Sequence, residues 1–320
     1  MANQYKGWIK SLCGIVVAGC LLVFPRWAIC AWELSEVWIG GGGGPGQFRT
    51  PLDLALDDDG NIYVVDTGND RIQVLSPQGQ YLREWGRTGS GWGEFNQPRC
   101  ISISDAVVYV GEGGPNCRVQ RFSLIGGFLG RWGHCYEPGN LQGAAGIHVM
   151  DGVAHVVSSC VYRFNVANGV VIDSLAIAYY LPMDVWVAND RTIWVCFWQS
   201  LVNHYGPDWQ LLDSWSTLAP GDLYSLPRHI AVNDSGNVFV VETGEASDFL
   251  KEFSPAGILR ERVELRNPWT HDIYEGRGFA IAGDTIFIVS EFRPGILKYV
   301  RGLVPVEATT WGAIKARYGD

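Results

Sequence analysis

The chain has 320 residues, enough for one large or two ordinary domains. Its 40 glycines and 14 tryptophans against 3 methionines point to short strands joined by turns and speak against a helical bundle. A net charge of −9 argues against nucleic acid or an anionic membrane as partner.

The first element, residues 1–31, reads as a signal peptide. MANQYKGWIK supplies Lys6 and Lys10, SLCGIVVAGCLLVF is apolar, and FPRWAICAW ends in small residues. The apolar run is shorter than the roughly 20 residues that a membrane span needs. Cleavage near Ala31 is expected, leaving residues 32–320 as one secreted or periplasmic domain with no membrane insertion. Two alternatives stay open. Val17-Ala18-Gly19-Cys20 resembles a lipoprotein box and would leave a lipid anchor on Cys20, or the leader is retained as an anchor.

The next element, ELSEVWIG at 33–40, has the character of an outer strand with no inner strands before it. From there a repeat sets the pattern. Trp38, Trp85 and Trp132 recur at 47 residues, as do Phe48 and Phe95, and Pro51 and Pro98. GQFRTPLDLALDDDGNIYVVDTGNDRIQVLSPQGQYLREWG and GEFNQPRCISISDAVVYVGEGGPNCRVQRFSLIGGFLGRWG each hold four strand-like pieces, the composition of one propeller blade. Weaker copies begin at AGIHV, PMDVW and GFAIA, and a clearer one at PRHIAV. The length beyond the leader accommodates about six such units. The expected fold is all-β, a six-bladed propeller of four-stranded blades. The 33–40 strand would close the ring as the outer strand of blade 6, with VPVEATTWG at 304–312 as its competitor.

Residues Gly46 to Gly86 resemble the NHL repeat: G-Q-F-x-x-P, a strand, D-x-x-G-N-I-Y-V-x-D, N-x-R-I-Q-V-L and a closing W-G. Blade 2 keeps most of this pattern and blade 5 about half. The resemblance implies the same six-bladed propeller, a fold that hosts binding modules, sensors, lyases and hydrolases alike.

DDDG at 57–60 invites a calcium reading. An EF-hand register puts Ala55 at the first ligand position and has no flanking helices, so a tight turn is the better account. Asp66 and Arg71 read as a local pair bracing the turn TGND, with Glu112 and Arg118 as their counterparts in blade 2. Cys100, Cys117, Cys135 and Cys160 fall on one face of the expected disc. The pairs Cys100–Cys117 and Cys135–Cys160 are expected, with Cys117–Cys135 as the chief alternative and Cys196 free.

No nucleophile elbow, zinc-helix motif or phosphate loop is present, so no catalytic residue is assigned. Aligning the starts of the inner strands places Asp53, Cys100, Gly146, Asp184, His229 and Gly278 at one level of the central channel. Leu52, Arg99, Ala145, Met183, Arg228 and Arg277 stand one level above. Arg99, Arg228, Arg277, Asp53, Asp184 and His229 are the expected ligand-binding set, and three arginines together suit an anion or an acidic peptide. The expected function is a binding module for a protein, peptide or other ligand at this mouth, with no cofactor. The alternative is a metal-dependent lyase or hydrolase using a divalent ion in the channel. NHL-type propellers include peptide-amidating lyases that hold zinc with several histidines. Here only His229 stands at such a level, and His148 and His155 read as packing residues. Trp92, Trp198, Tyr136 and Trp269 are candidate exposed anchors.

Overall fold

The computed structural model describes residues 30–133, 143–176, 180–244, 247–266 and 275–303. Residues 1–29 of the expected leader and the competing segment 304–312 lie outside these residues, whereas Cys30 and Ala31 fall inside a strand. Ala31–Gly302 is one compact unit. In it, six four-stranded sheets follow one another in chain order as blades. The only helix among the described residues is a three-residue 3-10 turn at Thr67–Asn69. Blade 1 runs from its inner strand Pro51–Leu56 through Ile62–Asp66 and Arg71–Leu75 to the outer strand Tyr81–Trp85. The inner strands of blades 2 to 6 are Pro98–Ser104, Gly146–Met150, Pro182–Val187, Leu226–Val232 and Gly276–Ala282. Blade 6 takes its outer strand from the other end of the chain, Cys30–Ile39. This is the closure expected for residues 33–40. It starts three residues earlier, so that Trp32 docks on blade 5 through an indole bond to Glu252 (3.0 Å) and an edge contact with Phe239.

Each middle strand is covered on both faces and is buried along its whole length in blade 1, whereas the outer strand alternates toward solvent. The cores lie between blades. Tyr63, Val65, Ile72 and Val74 of blade 1 interlock with Phe95, Ile101, Val110 and Phe122. Full burial of each such side chain is worth roughly 1.5–3 kcal/mol.

The 47-residue tryptophans have a specific seat. Trp38, Trp85 and Trp132 each lie on the outer hairpin turn of the following blade, over Gly79, Gly126 and Gly169. A Cβ on any of these glycines would come within 2.8 Å of the indole, and each glycine also has a positive φ. Trp215 of blade 4 sits on Gly257 in the same way, a fourth copy hidden by a change of spacing.

A second repeated device joins strands to loops. Arg71 donates Nε to Asp66 at 2.8 Å, and its Nη atoms reach the carbonyls of Gly43, Gly44 and Gln47. Arg118 does the same with Glu112 and with Ser90, Gly91 and Glu94. The expected pairs therefore form, and Asp66 also braces the turn TGND by accepting from Asn69 Nδ2 at 2.8 Å, but the arginines in addition fasten the loop between blades. In blade 5, Phe249 stands opposite Glu242 where an arginine would be. Lys251 supplies the charge instead, bonding Glu242, Asp222 and the carbonyl of Thr217. DDDG is a turn. Asp57 accepts from the amides of Asp59 and Asn61, the Asn61 side chain and the Tyr63 hydroxyl, which uses up the carboxylate.

Candidate functional site: the channel mouth

In a regular strand, adjacent side chains point to opposite faces. The inner strands break this rule where they begin. Register shifts occur between Pro51 and Asp53, Pro98 and Cys100, Pro182 and Asp184, and Pro227 and His229, with a similar one between Gly276 and Phe279. The bulged residues are Leu52, Arg99, Met183, Arg228 and Arg277. A bulge re-aims its side chain, and proline, lacking an N–H, is accommodated at the start of the strand. In blades 1 and 5 two successive residues, Leu52 with Asp53 and Arg228 with His229, thus face the channel, whereas blade 3 starts at Gly146 with its register unbroken. Sequence alignment found both levels. The bulge that explains them was missed, although the repeated proline marks it.

At the lower level three polar side chains converge. Asp53 accepts from its neighbour Leu54 N (2.8 Å) and from Ile101 N of blade 2 (2.9 Å). Asp184 accepts from Ile230 N of blade 5 at 3.0 Å. Both carboxylates are buried, and bare backbone makes room for them. A Cβ on Gly278 would fall 2.1 Å from Asp53 Oδ1, and one on Gly146 would fall 2.2 Å from Asp184 Oδ1. His229 spans the gap, with Nε2 3.1 Å from Asp53 Oδ1 and Nδ1 3.2 Å from Asp184 Oδ2. The first contact is a hydrogen bond; the second is an ion pair without hydrogen-bond alignment. Burial opposes a charge on His229, but Asp184 and then Asp53 outweigh it and push the imidazole up to about 9. Burial lifts Asp184 to about 6 against the pull of His229. With its imidazole raised to about 9, His229 is held as imidazolium at neutral pH. Both ring nitrogens face carboxylate oxygens, so His229 in this position has no free lone pair for a metal.

Above these three residues lies a cavity of about 280 Å³, lined by Leu52, Arg99, Ala145, Met183, Arg228 and Arg277 together with Asp53, His229 and Glu291. All six expected upper-level residues meet here, but the three arginines differ. Arg277 is paired with Glu291 and lies 3.7 Å from Glu275. Arg228 has no ion-pair partner among the described residues. Its guanidinium lies 4.7 Å over the Trp198 ring, and Nε makes a long 3.4 Å bond to Thr243. Burial, then repulsion from Arg277, draws it below the usual arginine range. Arg99 is exposed, with its stem across Gly113. Glu112 and Glu242 do not neutralise the mouth, because they are taken by Arg118 and Lys251. Asp248 was not anticipated. It is buried beside Glu275 and Arg277, and burial followed by Glu275 pushes it up to about 7.

Blade 1 also matches a known family model: residues 48–75 fit the NHL repeat. Blade 1 is an NHL repeat, and the chain folds as a six-bladed propeller. No curated protein matched by sequence. Among solved structures, virginiamycin B lyase from Staphylococcus aureus superposes with a TM-score of 0.59 at 12% identity, over 84% of this chain and 99% of that one. A protein of unknown function from Bacteroides thetaiotaomicron gives 0.64 at 14% identity, over 84% and 76%. The WD40 β-propeller domain of Doa1 gives 0.55 at 12% identity, over 85% and 98%. At these identities the likeness shows the fold alone. NHL and WD40 propellers are a type of scaffold that commonly binds proteins.

The cysteine pairing requires correction. Cys100 and Cys160 are free thiols, as is Cys196, so neither Cys100–Cys117 nor Cys135–Cys160 forms. The Cys100 sulfur is turned inward, where the missing side chain of Gly111 leaves space for it. Cys117 is disulfide-bonded, while Cys135 lies outside the described residues. His155 is buried as expected, but His148 is half-buried and lines the channel together with Asp184 and His229. They face each other across a hairpin, His148 packs 4.3 Å from Trp186, and burial draws the two down to about 3 and about 4. Trp92 is exposed and stacked on Phe128, and Trp198 is exposed at the mouth. Tyr136 and Trp269 lie outside the described residues.

Proposed function

We propose that this protein is an exported binding propeller whose channel mouth takes a carboxylate-bearing protein or peptide. The observation that carries the reading is Arg228, a half-buried guanidinium facing a cavity without a carboxylate partner among the described residues. Arginine is seldom withdrawn from water unless something pairs with it. Exposed Arg99 adds positive charge around the same space, whereas Arg277 is paired with Glu291 and His229 with Asp53 and Asp184. A charge-assisted bond is worth about 1.5–3 kcal/mol, so replacing both Arg228 and Arg277 by alanine should weaken binding of an arrayed set of acidic peptides at least about tenfold. Asp58→Ala with Gln78→Ala, on the opposite face, should leave binding unchanged. Loss confined to the second pair would place recognition on the wrong face.

The leader-like segment 1–31 supports secretion or periplasmic export, with a lipid anchor on Cys20 as the alternative. A disulfide at Cys117 suits that oxidising destination. With Cys100, Cys160 and Cys196 free, and Cys13, Cys20 and Cys30 lost on cleavage of the leader near Ala31, Cys135 is the partner we assign. Peptide mapping without reduction should recover Cys117 linked to Cys135; both peptides in unlinked form would refute the assignment.

A second reading is a lyase or hydrolase acting at the channel. It is favoured by the convergence of one imidazole and two carboxylates, His229, Asp53 and Asp184, at the cavity floor, residue types used in acid–base chemistry. One structural neighbour is described as a catalytically inactive histidine-to-alanine form of virginiamycin B lyase with Quinupristin, which ties a histidine to catalysis in that protein. Metal analysis after chelation and reconstitution separates the readings: a stoichiometric divalent ion would favour the enzyme.

A further inference from the structure

Three loops of blade 4 lie side by side on the face that carries the cavity. They are 180–181 before the inner strand, 198–200 between the second and third strands, and 217–225 leading to blade 5. Buried polar bonds tie them from beneath. Trp198 N donates to Leu181 O at 3.0 Å and Thr217 N to Ser200 O at 2.9 Å. Ser200 Oγ donates to Ser225 O, and the Thr217 and Ser225 hydroxyls meet at 3.0 Å with both residues fully buried. Asp222 is held by Lys251 from below. The outer surface of this fixed platform is apolar: Tyr180, Leu181, Trp198, Leu218, Leu223 and Tyr224 are all exposed, Leu223 at 76%.

The fold does not require this. Blade 4 has Phe197 and Leu201 paired where blade 1 pairs Asp66 with Arg71. Phe197 is buried and completes the blade, and the Tyr180 ring packs against it at 5.9 Å. The exposed side chains beyond it add little to that core, and a contiguous exposed apolar patch marks an interaction site. The patch is also joined to the cavity, because Trp198 is the ring under Arg228.

We infer that patch and cavity form one surface for an extended peptide segment in which a carboxylate is flanked by large apolar side chains. The carboxylate reaches Arg228 and the flanking side chains lie on Trp198, Leu218 and Leu223. The inference rests on the anion reading of the cavity. Charge selects an acidic segment, since Arg228 and Arg99 repel a basic one, and the nearest acid on the patch, Asp222, is already bonded to Lys251 and Arg262. Size selects an extended segment. The cavity, about 280 Å³, is at the lower limit of small-molecule pockets, about 300–1,000 Å³, and holds a side chain rather than a folded element.

The test uses an array of soluble dodecapeptides with a central aspartate flanked by leucine and phenylalanine, or by serine, each also made with asparagine at the centre. The intact protein should prefer the apolar-flanked acidic peptides over the serine-flanked ones by about tenfold or more. Leu218→Ser with Leu223→Ser should remove that preference while leaving serine-flanked acidic peptides bound as before. Arg228→Ala should weaken both classes. If acidic peptides bind but the flanks and the leucine changes make no difference, the patch proposal is wrong and the anion reading stands. If no acidic peptide is preferred over its asparagine form, both fall. A dimer in light scattering that the leucine changes dissolve would assign the patch to a second copy of the chain and overturn the proposal.

Discussion

Arg118→Ala is expected to destabilise the propeller by about 3–5 kcal/mol, the cost of leaving a buried charge without its partner. The side chain is almost wholly buried, as is Glu112, to which it donates at 2.5 Å. Alanine would strand that carboxylate and release the carbonyls of Ser90, Gly91 and Glu94 in the loop between blades 1 and 2. At about 2–4 °C per kcal/mol for a domain near this size, the midpoint of a thermal melt followed by circular dichroism should fall by roughly 6–20 °C. Arg87→Ala is the matched control. Its pair with Glu94 is nearly as short, 2.8 Å, but Arg87 is 80% exposed and water screens the contact, so no measurable change is expected. Arg118→Met with Glu112→Leu should recover only part of the loss, because the loop carbonyls stay unpaired. Equal melts for Arg118→Ala and Arg87→Ala would show that the fastener does not hold the blades.

The same fastener explains how much of the fold was legible in the sequence. Blades 1 and 2 were clear because acid, arginine and glutamine recur in register as Asp66, Arg71, Gln73 and Glu112, Arg118, Gln120, each filling one hydrogen-bonding scheme. Blade 5 was half-legible because Lys251 replaces the cation from a different strand position. Blades 3, 4 and 6 lost the motif. Phe197 with Leu201, and Ser290 with Gly295, keep the hairpin register with side chains that have no charge to fasten. The ring closure was legible because Trp38 needs Gly79 of the next blade as its seat.

The channel residues followed from counting along the inner strands, since blades 1 and 5 contribute the same two positions. Their chemistry did not follow. That Arg277 is neutralised and Arg228 is not depends on Glu291 and Trp198, which come from loops with no repeat to index them. The cysteine pairing failed for a related reason. Cys100 and Cys117 share a face of the disc, but facing and reach differ: the Cys100 sulfur points inward over Gly111, while Cys117 sits in a turn with φ of 41°.

The stability of this protein should fall as the pH rises from about 7 to about 8.5, and His229 should be responsible. In the unfolded chain histidine loses its proton near 6.5. In the fold, Asp184 and Asp53 keep His229 protonated up to about 9. The stabilisation is therefore fully present below about pH 6.5 and is lost as pH climbs through the folded value, with a slope of up to about 1.4 kcal/mol per unit. Asp184 and Asp248, raised by burial to about 6 and about 7, also lose stability with rising pH, but mostly below this window. His148 and His155, held neutral by burial, cost stability only on acidification. The thiols of Cys100 and Cys196, raised by burial, add a loss of the same sign above about pH 8.5, where an unfolded cysteine ionises. His229→Gln isolates the effect. It should lower the melting temperature at pH 7, because two buried carboxylates lose the cation between them, and it should flatten the profile up to about pH 8.5. Adding Asp184→Asn should restore part of the stability by removing one of those charges. A profile with the same slope in wild type and His229→Gln would mean that the imidazole in the channel is neutral. The cavity floor would then offer no positive charge to an anion, and Arg228 would have to act there with Arg99 alone.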